Sequence, residues 1–330
     1  MKLSKLIAYR NFLLEKSELQ DVVYQSEREF ESILHAVKTN PIQIRYHTQT
    51  LDEDYINAKV AHQQFNNTLN TLIADLESEI SSEEKSYYEN SEQEYISTTG
   101  NRYDGRIIHS LDIVKRTIHL DPETKTMITS RIKSHLDWKH AGMIIRPGRE
   151  EFLRHMVECD PLYVVDHDEE LINESLSHAE FNDEYLERIR QHYISNTFVN
   201  PNEQLLKTIP NGQIGFCLVY NFFNFVSISA FEKYLKEIYT KLKPGGIVCL
   251  TFNDCDYEHG VNLVEKNYGA YTPGKKVVAL AKQIGYKQMF SWRNGLDFSW
   301  LELRKPGNLV SYKGGQSLAK IIPKTLAKSK

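Results

Sequence analysis

The sequence predicts an α/β protein in two parts: an all-α helical hairpin or coiled-coil region, then a mostly parallel sheet that ends in an antiparallel hairpin. Three observations carry that reading. Leu51, Tyr55, Ala58, Phe65, Leu69, Leu72 and Leu76, with His62 on the same line, repeat in alternating steps of four and three. That is the seam of a helix lying along another helix. From Gly142 onward the period changes, and short apolar runs alternate with amphipathic helical stretches, as in a parallel sheet covered on both faces. Finally, only "NGLD" separates the last two apolar runs. That is too short for a parallel crossover, so those strands pair antiparallel.

The helical part is assigned to residues 1–80. Residues about 3–37 are helical in pattern, with Val23, Phe30, Leu34 and Val37 on one stripe. Pro41 breaks the chain before the seam begins, because the residue ahead of a proline is steered away from helical backbone. The seam closes either within the chain or against a second copy, and both remain open. His62 is expected to set register there rather than to bind or titrate. The stripe runs roughly 40 Å at 1.5 Å per residue, and the first helix keeps a clean stripe over about half of that. Apolar surface on this scale is usually an interface. Residues 45–80 are therefore expected to make a homo-oligomer or to dock a protein partner.

Residues 81–139 read as linker and adapter: "SSEEKSYYENSEQEYISTTGNRYDG" is acidic and rich in serine, tyrosine and glycine, a linker or a mobile extension of the hairpin, and Pro122 then opens a helix. The sheet domain is assigned to residues 140–306, with strands near Gly142–Ile145, Leu162–Asp166, His192–Ser195, Gly215–Tyr220, Ile247–Asn253, Gln288–Trp292 and Phe298–Arg304. Ser229 and Glu232 have capping-box spacing ahead of a helix, Thr272-Pro273 opens another, and Gly285 closes it.

Composition bounds the function. Hydrophobic residues make up 41% and charged residues 25%, values of a soluble globular chain, and no apolar run reaches the length of a membrane span. The amino terminus lacks the apolar segment and cleavage site of a signal peptide, so a cytoplasmic location and no membrane role are expected. The four cysteines lack paired spacing, and Cys217 and Cys249 lie inside apolar runs as small buried hydrophobes. No spacing suits zinc, and no metal is expected. The net charge of −4 is uneven: residues 1–100 hold 17 acidic and 9 basic residues, whereas residues 301–330 hold one acidic and seven basic. The basic tail 307–330 could touch nucleic acid, an acidic partner or membrane lipid; it is read as a solvated or loosely docked terminus, since its charges are sparse and it lacks the arginine-aromatic mix of a nucleic-acid surface.

The stretch "YLKEIYTKLKPGGIVCLTFND" resembles the helix, Leu-Lys-Pro-Gly-Gly turn and fifth strand of the class I S-adenosylmethionine-dependent methyltransferases. "DPLYVVDHDEELI" is similar to their second strand, and "IGFCLVYNFFNFVS" to their fourth. Helical arms fused to such a domain also resemble proteins encoded by large tailed phages. The resemblance covers residues about 140–305 and implies a seven-stranded methyltransferase-like sheet, S-adenosyl-L-methionine as cofactor, and methyl transfer as activity. In the turn itself, Pro244 stops the helix, and Gly245-Gly246 are expected to take the positive φ that turns the chain into a strand.

In an open α/β sheet, ligands sit at the carboxyl ends of the strands where the strand order reverses. That gathers the loop after Ile145, Asp166, the segment after Ser195, and Asn221 around one crevice. Asp166 lies 18 residues beyond Gly148, close to the spacing at which a carboxylate reaches ribose hydroxyls. The competing reading makes it the cap of a helix beginning at Asp168. Gly148 is expected to line the cofactor loop, and His167, Asn196, Phe198 and Asn221 to contact the nucleoside. The loop "IRPGRE" departs from the family, with Arg146 where an acidic residue is expected and Arg149 after its single glycine. Both arginines oppose a cationic cofactor unless they turn away or pair with its carboxylate.

The catalytic candidates are Asn221 and His259. "NFFN" keeps the asparagine and aromatic, but no proline, of the adenine amino methyltransferases, so a nucleic-acid acceptor is weakly supported against a plain buried aromatic cluster. His259 reads equally as a lone surface histidine. The methyl acceptor stays open. The alternative is a catalytically silent methyltransferase-fold protein, a structural or assembly component acting through its helical arm. A nicotinamide-dependent enzyme is disfavoured by the turn and the terminal hairpin.

Overall fold

The computed structural model describes residues 2–15, 48–100, 120–137, 139–147, 152–166, 169–194, 204–266, 269–294 and 298–308. It divides into two units, Met1–Ser86 and Tyr87–Lys330. Val23, Phe30, Leu34, Val37 and the Pro41 break lie outside the described residues.

In the first unit, helix α1 (residues 3–15) buries Leu3, Leu6, Ile7, Arg10 and Leu13, one face related by steps of three and four. Helix α2 (Thr48–Gly100) buries Leu69, Leu76 and Ile80, while Phe65 is 50% and Leu72 42% exposed. The covered stripe therefore runs through His62, Asn66, Leu69, Ile73, Leu76 and Ile80, turned away from the seam read in the sequence. A straight helix drifts by about 20° per heptad against a strict 3.5-residue repeat, which moves Phe65 and Leu72 to the shoulder. His62 is tied to Asn66 one turn on, Nδ2 to Nε2 3.0 Å.

Of the two readings of this stretch, residues 81–100 extend the helix rather than form a linker. No glycine or proline interrupts the chain from Thr48 to Thr99, so nothing breaks α2 before Gly100. Packing supplies the rest. Within the second unit the Tyr88 and Tyr271 rings meet edge-on at 5.0 Å, the Tyr271 amide donates to Ser91 Oγ at 2.9 Å, and Tyr87 donates to Glu265 at 3.1 Å. The composition of this stretch carries none of those contacts.

Helix α3 (Pro122–His135) starts where the proline predicts, with Asp121 accepting from the Thr124 amide at 2.8 Å. The sheet then takes β1 (Ala141–Ile145), β2 (Leu162–Asp166), β3 (Ile189–Tyr193), β4 (Ile214–Val219), β5 (Leu242–Phe252), β6 (Lys287–Asn294) and β7 (Phe298–Arg304). Its order is β3-β2-β1-β4-β5-β7-β6, with β7 antiparallel to both neighbours. This is the seven-stranded methyltransferase-like sheet with its reversed hairpin. The intervening helices are α4 (Glu169–Ala179), α5 (Asp183–Leu186), α6 (Ile228–Lys241), α7 (Glu258–Glu265) and α8 (Gly274–Ile284).

Alternate residues of the central strands face two cores. Met143, Ile145, Cys217, Val219, Val248 and Leu250 pack with α6 and α8, while Ile144, Phe216, Leu218 and Cys249 pack with α3. All four cysteines are free and buried. Among the described residues no helix is long and apolar enough to cross a membrane.

Three local expectations shift. β3 lies three residues ahead of its expected position because its polar "IRQHY" is an edge strand, where periodicity is weak. Helix α6 has Ser227, not Ser229, at its N-cap, and Ser229 bonds Glu92 instead. In the Pro-Gly-Gly turn only Gly245 has positive φ (+83°). Gly246 is required for space: a Cβ there would lie 2.8 Å from the Ile214 carbonyl oxygen and 3.0 Å from that of Lys243.

Candidate functional site

The strand order reverses between β1 and β4, which places a crevice at their carboxyl ends. Two of the three non-glycine residues with positive φ among those described stand on its two lips: Arg146 (+53°) directly after β1 and Asn221 (+51°) two residues after β4. Backbone of this kind is costly for side-chain-bearing residues and collects at functional sites. The β1–β2 ladder continues past the strand, with the Arg146 amide on the Val165 carbonyl at 2.8 Å, and so holds that strained residue in place.

Asp166 ends β2, and its side chain is 3% exposed. Its carboxylate faces Arg146, with Nε 3.7 Å from Oδ1. It is thus an ion-pair partner of Arg146 at the neighbouring strand end; the start of the helix it was weighed as capping lies outside the described residues. The Arg146 guanidinium sits 5.0 Å from the centre of the Phe222 ring, a cation–π distance. Tyr234 stands beside the pair: burial lifts its phenol to about 12, and the Arg146 charge draws it partly back.

Asn221 is buried, and its side-chain oxygen accepts from Asn224 while its amide donates to Thr251 Oγ1 at 2.6 Å. Phe222, Phe223, Phe231 and Tyr234 interlock around it, Phe223 stacking on Phe231 at 4.1 Å. "NFFN" is therefore built into an aromatic core. His259 lies exposed on α7, and no described contact links it to Asn221 or Asp166. Of the expected site residues, the structure brings Asp166 and Asn221 to the crevice; Gly148, His167, Asn196, Phe198 and Arg149 lie outside the described residues.

Two polar clusters escaped the sequence reading. Asp254, after β5, accepts from the Gly274 amide at 2.9 Å and from Ser299 at 3.0 Å, which anchors the start of α8. Burial and Asp256 raise its pKa, against the hydrogen bonds it accepts. Glu302, on β7, receives Arg131 through Nε (2.6 Å) and Nη2, His135 Nε2 (3.0 Å) and Trp300 Nε1 (2.9 Å). Burial pushes its pKa up, but the hydrogen bonds and charges of His135 and Arg131 prevail and bring it to about 2. His135, Cys249 and Glu302 have ligand atoms within 4.8 Å of one another, yet the Arg131 guanidinium already fills the carboxylate and would repel a metal cation. A groove bordered by Leu176, Phe181, Leu186 and Ile189 lies beside edge strand β3, away from the crevice.

No protein-family model and no curated protein matches the chain. Among solved structures it is similar to the N-methyltransferase NodS from Bradyrhizobium japonicum WM9 in complex with S-adenosyl-L-homocysteine, at 12% identity and TM-score 0.43, over 60% of this chain and 99% of that one. It is also similar to an O-methyltransferase family protein from Burkholderia thailandensis, at 9% identity and TM-score 0.43, over 56% of each chain. A third is the mitomycin 7-O-methyltransferase MmcR, at 16% identity and TM-score 0.41, over 55% of this chain and 54% of that one. The chain spans just over half the length of the last two. The fold itself rests on the strand order.

Proposed function

We propose that the crevice between β1 and β4 binds S-adenosyl-L-methionine and that the sheet domain transfers its methyl group to an acceptor. The observation that carries this reading is the buried Asp166 carboxylate at the end of β2, beside the point where the strand order reverses. Its two acceptor oxygens suit the paired hydroxyls of a ribose, so the nucleoside half of the cofactor fits these residues. Arg146 must release Asp166 for the ribose to use it. When bound, the cofactor supplies a methyl group on a sulfonium, whose in-line transfer depends mainly on positioning. The chain provides that positioning through the rigid aromatic block of Phe222, Phe223, Phe231 and Tyr234 and through the Asn221–Thr251 tie, which fixes the β4 lip.

The same pair favours a second reading, a silent scaffold. Asp166 is engaged by Arg146 and nearly sealed from solvent, and a fold does not by itself establish chemistry. Calorimetry with S-adenosyl-L-homocysteine separates the two. Saturable heat that is lost in Asp166→Ala supports the cofactor site, and no heat at millimolar ligand leaves the scaffold.

A further inference from the structure

We propose that the groove beside edge strand β3 is the docking site of this chain's own basic carboxyl-terminal segment, residues 309–330, which lie outside the described residues. The inference is independent of the cofactor reading. The groove runs between α4, α5 and β3, and its walls are both apolar and acidic. Leu176, Phe181, Leu186 and Ile189 give it an apolar lining, and Leu186 stands exposed there. Residues 169–190, which build these walls, hold seven acidic and two basic residues, a net charge of −5. Both basic side chains are already engaged. Arg188 lies 3.6 Å from Asp160 and 3.1 Å from Glu184, and Arg190 donates to the carbonyls of Glu187 at 2.8 Å and Ile189 at 3.2 Å. Glu180 lines the groove with no ion pair among the described residues, and it stands at φ +53°, where glycine is at ease and glutamate is strained. On its outer side β3 pairs with no strand among the described residues. An open sheet edge beside an apolar trough is a surface onto which a length of chain adds.

The carboxyl-terminal segment has the matching chemistry. It carries five lysines and no acidic residue, and Leu318, Ile321, Ile322 and Leu326 are interleaved with Lys320, Lys324 and Lys328. The lysines meet the carboxylates of the rim while their apolar neighbours cover the trough. Topology brings the segment to the correct end of the sheet. Strand pairing runs in one row from Arg304 through Ile247, Phe216, Gly142 and Leu162 to Ile189. The chain therefore leaves β7 at the same end of the sheet as the Ile189 of the groove. From β7 to β3 is five strand positions, roughly 24 Å at about 4.8 Å each. The 22 residues of the segment reach roughly 70 Å when extended.

Hydrogen exchange on the full chain tests the assignment, with amides of β4 as the control that the sheet is intact. Amides of residues 318–328 are expected to exchange at least about tenfold more slowly than in a free chain at low salt, and to lose that protection at high salt. Lys320→Glu/Lys324→Glu/Lys328→Glu, which lies outside the sheet, and Glu180→Lys/Glu184→Lys, in the groove, should each abolish the protection. Combining the two sets should restore it, because the charges then match again. Free-chain exchange in the wild type overturns the proposal. So does protection that Glu180→Lys/Glu184→Lys leaves unchanged, which places the segment on another surface, and so does a combined variant that fails to regain it. Protection that rises with protein concentration assigns the groove to the segment of a second copy and overturns docking within one chain.

Discussion

Four hydrogen bonds converge on the carboxylate of Glu302, a buried residue between Leu301 and Leu303 of β7. Removing its charge while keeping its shape, as in Glu302→Gln, leaves Arg131 buried without a counter-charge and is expected to cost about 3–5 kcal/mol in denaturant unfolding. The pH dependence has a definite sign. The folded pKa of about 2 lies below the ordinary 4.5, so this stability is fully present above pH 4.5 and is lost as the pH falls toward 2. It amounts to about 3 kcal/mol, and unfolding followed between pH 5 and 2 should lose that slope in Glu302→Gln. None of this was legible in the sequence, because Arg131 and Glu302 are 171 positions apart and a glutamate in an apolar run reads as a strand-edge polar residue. The place of Asp166 at the end of β2 was legible, since it closes the apolar run from Leu162 to Val165. The side chain that answers it was visible only as a charge of the wrong sign.

At the scale of elements, the Leu-Lys-Pro-Gly-Gly turn joins α6 to β5 without an intervening loop, and its two glycines serve different ends. Gly245→Ala puts a side chain on left-handed backbone (φ +83°) and is expected to cost about 1 kcal/mol. Gly246→Ala drives a methyl against two carbonyl oxygens at 2.8 and 3.0 Å that belong to backbone and cannot turn away, and should cost more. Urea titration of the two variants tests that order; equal costs would contradict it. Strands with two buried faces and turns with glycine or proline were readable, which is why β2 and β7 match residue for residue. The edge strand β3 was misplaced because one of its sides has no partner to impose a pattern. The composition of 81–100 does not decide between linker and extended helix, because the helix there draws its stability from docking against Tyr271, Glu265 and Ser229.

For the whole molecule, the arm is where self-association is expected. On α2, Val60, Phe65 and Leu72 are 46%, 50% and 42% exposed, and on α1 Tyr9 and Phe12 are 46% and 50% exposed. Light scattering should show the full chain as an oligomer and a chain starting near Gly105 as a monomer, with Phe65→Asp/Leu72→Asp shifting the full chain toward monomer. A full-length monomer, or a truncated chain that associates equally well, would contradict this.

On the proposed reading, the β1–β4 crevice is a nucleoside site whose Asp166 carboxylate is held by the protein's own Arg146. Co-crystallisation with S-adenosyl-L-homocysteine tests it most directly. The ribose is expected on Asp166, with the Arg146 guanidinium withdrawn from its carboxylate. At saturating ligand, a crevice in which Arg146 still holds Asp166 and no nucleoside lies between β1 and β4 would contradict it.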